Sequence, residues 1–105
     1  MDIAESKPAR RLRKTVTVGN LWIYILSLIK KHKKVYAYTL DNGIKDEFGF
    51  KPSKIMIYIV LYKLEAEKLI ESKFEERRKY YTLTSEGEAG LLFAKKYFGK
   101  LSEDL

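Results

Sequence analysis

A short stretch in the middle of the chain brings together side chains that can bind phosphate groups. Lys51, Ser53 and Lys54 stand at the predicted start of a helix, where free backbone N–H groups and the helix dipole also favour an anion. Tyr58, one turn further on, can donate its hydroxyl to a phosphate oxygen, and Tyr62 follows it. The alternative interpretation is a solvated face with aromatic residues at its rim. The residue types favour contact with a polyanion.

The helix that would carry these side chains is predicted over residues 52–68. Pro52 suits its first turn. Residues 55–64 are so apolar that periodicity alone cannot separate a buried strand from a buried helix. Leu61 and Leu64 continue the helical spacing into a segment of strong helix formers, which favours a helix.

A helical wheel places an apolar strip on the outward side of this helix. With Ile57 inward, Ile55, Ile59 and Tyr62 point outward. Bidentate reading of base edges needs Arg, Lys, Asn or Gln, and this strip has none. The strip therefore predicts modest sequence preference, with binding dominated by phosphate contacts and groove shape.

A β-hairpin, called the wing below, is predicted over residues 69–84. Phe74 keeps the alternation of its first strand, and aromatic and β-branched residues fill its second strand. Glu75 and Glu76 at the tip oppose contact with DNA, or pair with the neighbouring arginines. The cations that can reach phosphates or a minor groove are Lys73, Arg77, Arg78 and Lys79.

The segment after the wing predicts a last helix over about residues 85–101. The run from Ser85 to Glu88 has the spacing of a capping box. A helix, a two-stranded wing and a further helix form the back half of a winged helix-turn-helix. The predicted fold is therefore mainly α with a small β-hairpin wing and about four helices.

The front of the chain supplies the remaining elements. A first helix is predicted over residues 21–33 with Asn20 as its cap, and a second over 40–48 with Thr39 as its cap. Residues 35–38 are a candidate strand pairing with the wing. Because the first helix is apolar on two sides, it is expected to lie centrally or to join a dimer. The candidate dimer residues are Trp22, Ile25, Leu92, Phe93, Tyr97 and Phe98.

Two regions follow from composition: a flexible basic arm over residues 1–16 and one domain over 17–105. Arg10, Arg11 and Arg13 give the arm a means of binding DNA, and a solvated tail is the alternative. The formal net charge is +7, and residues 1–64 hold 13 basic against 5 acidic residues. This asymmetry favours a polyanion partner. Without cysteine, a signal peptide or a membrane-length apolar run, the expected location is the cytoplasm, and the composition resembles that of thermophile proteins.

Residues 19–92 together resemble the PadR family of winged-helix transcriptional regulators. The most specific part runs from Arg78 to Gly87 (RKYYTLTSEG), similar to the family's wing strand and the start of its last helix. The resemblance implies a small, archaeal-type, dimeric DNA-binding repressor, sometimes released by a small aromatic effector. The chain departs from the family in having Ile55 and Ile59 where Gly and Pro are usual, Lys68 where a Gly usually ends the helix, and a short C-terminal region.

Two other functions stay open: an architectural, chromatin-type DNA binder, and a winged-helix module that binds protein through its apolar strip. An enzyme is not expected, because the chain has no cysteine nucleophile and no phosphate-binding or dinucleotide fingerprint. His32 is the one histidine and stands among lysines, so no metal site and no cofactor are expected.

Overall fold

A computed structural model describes residues 2–105, and its elements follow one another through short turns. In chain order they are α1 (Lys7–Val16), α2 (Leu21–His32), β1 (Val35–Tyr36), α3 (Leu40–Phe48), α4 (Lys54–Ala66), β2 (Ile70–Glu75), β3 (Arg78–Leu83) and α5 (Ser85–Asp104). This is the winged helix-turn-helix that the sequence predicts, with α1 as an additional helix.

The helix α2 lies at the centre of the core. It contacts α3, α4, α5 and both β1 and β3, so the prediction of a central helix with two apolar sides is confirmed. Ile25, Leu26 and Ile29 are fully buried there. A side chain with 0% exposure cannot contact a second copy, so the assignment of Ile25 to a dimer surface is wrong.

The three strands form one antiparallel sheet in the order β1-β3-β2. Val35 is paired with Tyr81 in β3, which confirms that a short strand after α2 joins the wing. The strand ends at Tyr36 and not at Tyr38, because Ala37–Thr39 turn into a short 3₁₀ helix. Ile70 is paired with Leu83 at the base of the hairpin. Because side chains alternate between the two faces of a strand, Ile70 and Tyr81 turn into the core and their neighbours turn away.

The junction between α4 and the wing is a Schellman motif formed without glycine. The N–H of Leu69 donates to the carbonyl of Leu64, and the N–H of Lys68 donates to that of Glu65. Lys68 has a left-handed backbone with φ of 62°. This conformation costs a residue with a Cβ about 1–2 kcal/mol. The position where the family resemblance implies Gly therefore keeps the geometry of a glycine cap, and the Lys side chain lowers the stability of the fold.

The start of α5 is fixed by a very close backbone approach. A Cβ on Gly87 would lie 2.0 Å from the carbonyl oxygen of Leu69. Thr84 is the N-cap, since its hydroxyl accepts from the Gly87 N–H and donates to the carbonyl of Lys68. The cap is therefore Thr84 rather than the predicted Ser85, because only Thr84 lies between the end of α4 and the first turn of α5.

Residues 7–16 form a helix and not the flexible arm that the sequence predicts. The Ser6 hydroxyl accepts from the Ala9 N–H, and Pro8 fits the first turn, where its missing N–H is not needed. Local capping thus orders a segment that has no buried residue. Position 1 of the predicted arm lies outside the described residues.

The starts of α2 and α3 are confirmed, but their predicted caps make other hydrogen bonds, and two further boundaries change. Asn20 precedes α2, but its side chain donates to the carbonyl of Thr15 and does not cap the helix. Thr39 likewise donates to the carbonyl of Tyr36. Pro52 lies before α4, because Ser53 is the N-cap. The last helix continues through Gly99 to Asp104, and Gly49 ends α3 in a left-handed conformation as predicted.

Replacing Gly87 with Ala is expected to destabilise the protein by about 3 kcal/mol or more, since the new methyl group meets a backbone carbonyl that cannot rotate away. Gly99→Ala is the matched control, because it lies in the same helix with nothing within 4 Å of its Cβ. That change should stabilise the helix by up to about 1 kcal/mol. Urea unfolding followed by circular dichroism measures both, and equal effects would contradict the close-approach argument.

Candidate nucleic-acid interface

The outward face of α4 is a strip of exposed apolar and aromatic side chains. Tyr62 and Ile55 are 77% and 73% exposed, and Tyr58 and Ile59 are also exposed. On the opposite side Ile57, Leu61 and Leu64 are buried. The predicted orientation of the helix is confirmed, and the strip offers hydroxyl groups and apolar surface but no amide or cation.

The start of α4 gathers its two predicted lysines around a buried carboxylate. The Ser53 hydroxyl accepts from the Met56 N–H, so its oxygen caps the helix. The Lys54 ammonium lies 3.5 Å and the Lys51 ammonium 4.0 Å from Oδ2 of Asp41, which is 2% exposed. Asp41 therefore joins the first turn of α3 to the first turn of α4.

Asp41 remains a good anion despite its burial. Burial raises the pKa of its carboxyl, but the backbone N–H of Asn42 and the ammonium groups of Lys54 and Lys51 outweigh that effect. The net result is a pKa below its ordinary value. Sequence reasoning missed this residue, because an acidic side chain in the first turn of a helix is normally a solvated group favoured by the dipole.

The middle of the wing is tied to the end of α4 through Glu65. The Ser72 hydroxyl donates to one carboxylate oxygen of Glu65, and the Lys79 ammonium lies 3.9 Å from the other. Lys79 also lies 5.5 Å from the centre of the Tyr81 ring. These contacts fix the wing relative to the exposed strip, although they occupy one of the cations predicted to bind DNA.

The sequence left open whether the acidic residues at the wing tip form ion pairs with the neighbouring arginines. In the structure they do not. Glu75 instead accepts from the Lys34 ammonium at 2.6 Å and from the Tyr36 hydroxyl at 3.2 Å. The hydrogen bond from Lys34 is the main reason that the pKa of Glu75 is lowered. Lys34 comes from the turn after α2, which pattern reasoning along the wing alone could not have paired with Glu75.

Arg78 is held in one orientation by two tyrosines. Its guanidinium lies 5.1 Å from the centre of the Tyr36 ring and donates to the Tyr38 hydroxyl at 3.2 Å. The hydrogen bond to Tyr38 raises the pKa of Arg78. By contrast, Lys73 and Arg77 are exposed and make no ion pair within residues 2–105.

The arginines of α1 are separated from this surface. Arg13 donates to the carbonyl of Ala4, and Arg10 and Arg11 are exposed. The helix lies mainly against the two short turns that flank it in sequence. Neither α4 nor the wing is among the main contacts of α1, so a role of the three arginines in binding DNA stays a prediction.

The half-buried Trp22 lines an open apolar groove on the flank of α4. Met56, Ile59 and Leu69 line the same groove, and the Trp22 indole donates to the side-chain oxygen of Asn20. Within residues 2–105 no group of three or more acidic or imidazole side chains is placed to hold a metal ion. Over the same residues no helix has the length and apolar character of a membrane span.

Replacing Asp41 with Asn is expected to cost about 1–3 kcal/mol at pH 7, because a buried group loses its partners. A carboxyl with a lowered pKa contributes stability above its unfolded pKa and loses it as pH falls through the folded value. The difference between the two proteins should therefore shrink as pH falls below about 3.8, the ordinary value for this group.

Urea unfolding between pH 7 and pH 2.5 tests this expectation. The exposed Asp46 on the same helix makes no ion pair within residues 2–105, so Asp46→Asn is the control and should leave stability nearly unchanged. A pH-independent deficit for Asp41→Asn would mean that its charge does not stabilise the fold.

Known proteins give a consistent classification of this fold. Residues 25–92 match the profile of the transcriptional regulator PadR-like family. Among curated proteins, none matches the chain. A PadR-like transcriptional regulator from Bacillus cereus is 29% identical with a TM-score of 0.73, the match covering 88% of this chain and 91% of that one.

Two further structures are similar in fold. A PadR family transcriptional regulator from Eggerthella lenta has a TM-score of 0.80 at 23% identity, covering 97% of this chain and 92% of that one. The winged-helix DNA-binding protein F93 from STIV has a TM-score of 0.71 at 19% identity, covering 81% and 92%. Because the family profile spans more than half of the chain, this protein belongs to the PadR-like family of transcriptional regulators.

Proposed function

We propose that this protein is a homodimeric repressor that binds duplex DNA through α4 and the wing. The observation that carries the proposal is the position of the exposed strip of α4. Lysines lie at its start, and at its end the wing is anchored through Glu65. A protruding helix beside a cationic hairpin fits a major groove and the backbone next to it. It acts as a binding protein in the cytoplasm, with no catalytic role.

Phosphate contacts supply most of the affinity in this proposal. The contacting groups are Lys51 and Lys54, the Ser53 hydroxyl, the hydroxyls of Tyr58 and Tyr62, and the wing cations Lys73, Arg77, Arg78 and Lys79. The strip itself offers apolar contacts, which suit thymine methyl groups and little else. The protein therefore selects sites mainly by groove shape and deformability.

Dimerisation is proposed through the last helix. Along α5 the aromatic and aliphatic residues Leu92, Phe93, Tyr97, Phe98 and Leu101 are exposed. Phe93 and Tyr97 contact each other with ring centres 6.0 Å apart, which makes a continuous aromatic ridge. Self-association would bury it and present two copies of α4 to half-sites about one helical turn apart. The partly exposed Trp22 lines the groove on the flank of α4 and not this ridge, and it stays a separate candidate for a dimer contact.

A dimer of this kind represses by occupying a promoter that RNA polymerase needs. The repressor role and a small aromatic effector both rest on the resemblance to the PadR family. The apolar groove beside Trp22 is a candidate place for such an effector, because its lining combines aromatic and aliphatic side chains.

The exposed strip also supports a second candidate function. Ile55 and Tyr62 are mostly exposed without a partner, and an apolar strip of this kind suits a protein ligand as well as thymine methyls. An architectural DNA binder is the third candidate, which would show affinity without site preference. Two properties separate the three candidate functions: affinity for duplex DNA, and preference for one duplex over another.

Duplex affinity across a salt series, with upstream DNA of its own gene beside random DNA, tests the proposed function. Replacing both Lys73 and Arg77 with Ala should reduce the slope of log K against log salt by about 1.8, because two phosphate contacts are lost. Lys95→Ala with Lys96→Ala removes the same charge from α5 and should change the slope little.

Each alternative gives a distinct result in this experiment. Binding without preference for any duplex favours the architectural function. No binding of the unmodified protein at about 50 mM salt, where phosphate contacts are strong, would refute the DNA-binding proposal and favour the protein-binding module. Equal effects of the two double variants would remove the wing from the interface.

Replacing both Phe93 and Tyr97 with Asp is expected to convert the dimer to monomers, since two charges would be buried in an apolar contact. Both side chains are mainly exposed in the single chain, so the fold itself should persist. Sedimentation equilibrium at micromolar concentration measures the mass. Leu12→Asp on α1 is the control, and a single-chain mass for the unmodified protein would contradict the dimer.

A further inference from the structure

We infer that Phe74 is an apolar wedge that the wing inserts between base pairs in the minor groove of DNA. The inference rests on the proposed function, since it requires that the protein binds duplex DNA. It adds a residue that reads the deformability of the duplex, and the residues assigned to DNA above do not include it.

Phe74 is a large aromatic side chain left outside the core. It is 71% exposed and makes no aromatic contact within residues 2–105. It also lies outside the core cluster, although Leu69 and Leu83 at the base of the wing pack against that cluster. Removing a Phe side chain from water is favourable, so a partner that covers Phe74 would gain affinity from it.

The register of the hairpin places Phe74 close to the tip. It pairs with Lys79, and one pair further on Glu75 and Arg78 close the hairpin around the turn of Glu76 and Arg77. Ile70, Ser72 and Phe74 alternate along one face of β2, the face whose Ser72 contacts Glu65 of α4. The ring therefore lies on the side of the wing that is turned toward α4.

The wing is held along its length by contacts that order it for presenting a wedge. Ser72 and Lys79 both contact Glu65, and β3 pairs with β1 on its other edge. At the tip, Lys34 and Tyr36 hold Glu75. An ordered hairpin loses little conformational entropy when it enters a groove, so more of the gain from burying the ring remains as affinity.

The charges around Phe74 are complementary to a groove lined by phosphates. On its own face Phe74 lies opposite Lys79, and the nearby Arg77 and Lys73 make no ion pair within residues 2–105. Glu75 is paired with Lys34, so the exposed Glu76 of the turn is the acidic group that partly offsets these cations. An apolar ring flanked by cations is the arrangement by which minor-groove proteins unstack a base step while binding the phosphates on either side.

The apolar strip on α4 explains why such a wedge would be useful. Ile55 and Ile59 cannot read base edges by hydrogen bonds. A wedge obtains preference from a different property, because pyrimidine–purine steps unstack more easily than others. Duplexes with a TA or CA step under the wing should then bind more tightly than duplexes with a stiff A-tract there.

Fluorescence of 2-aminopurine placed along the bound duplex tests the wedge directly. Binding of the unmodified protein should raise the emission at one step, because the unstacked base is no longer quenched. Phe74→Ser should abolish that rise and weaken binding about ten-fold, the loss expected for one buried apolar side chain. Phe74→Leu keeps an apolar wedge and should retain most of the rise.

The controls separate this inference from the proposed function. Lys73→Ala should weaken binding to all duplexes and keep the fluorescence rise, since it removes only a phosphate contact. If the unmodified protein binds DNA without any fluorescence rise, or if Phe74→Ser leaves rise and affinity unchanged, the wedge is refuted and the proposed function stands. If the protein binds no duplex, both are refuted.

Discussion

The close approach of the Leu69 carbonyl to Gly87 is the constraint on which the candidate surface for DNA depends. It brings together the end of α4, the first residue of the wing and the first turn of α5. Thr84 completes the junction by bonding to the backbone on both sides of the contact. In the proposed function α4 and the wing contact DNA and α5 forms the dimer. This junction therefore sets the orientation of the DNA-binding elements relative to the dimer helix.

The fold could be predicted from the sequence wherever one local signal dominated. The motif from Arg78 to Gly87 indicated the wing and the last helix, and the spacing of Leu61 and Leu64 identified α4 as a helix although residues 55–64 also fit a strand. Helix ends were less certain, because Thr84 and Ser85 are both good caps by type. Only the contact with Lys68 distinguishes them.

The site could be predicted less completely, because its charges are arranged by contacts between distant segments. The outward orientation of Ile55 and Tyr62 followed from helical geometry alone. The partnership of Asp41 with Lys51 and Lys54, and that of Glu75 with Lys34, depend on tertiary packing and leave no periodic signal. The helix α1 was missed for a different reason, since hydrophobic patterning detects buried segments and α1 buries no residue.

The acidic residues near the candidate interface share a role that the net charge of the chain does not indicate: they position lysine side chains. Asp41 and Glu65 each hold a lysine of α4 or the wing, the two elements that would contact DNA, and Glu75 holds Lys34 from the turn after α2. An ion pair of this kind lowers the net charge that attracts phosphates. It also orders the lysine side chain in advance, so that less conformational entropy is lost when the lysine contacts DNA. Long-range attraction therefore depends mainly on cations without such partners, Lys73 and Arg77 among them. The held cations contribute instead to the register of the protein on the duplex, because phosphate contacts act as positioning contacts. Discrimination between sequences then depends on the apolar groups of the interface, which respond to the shape and deformability of the duplex.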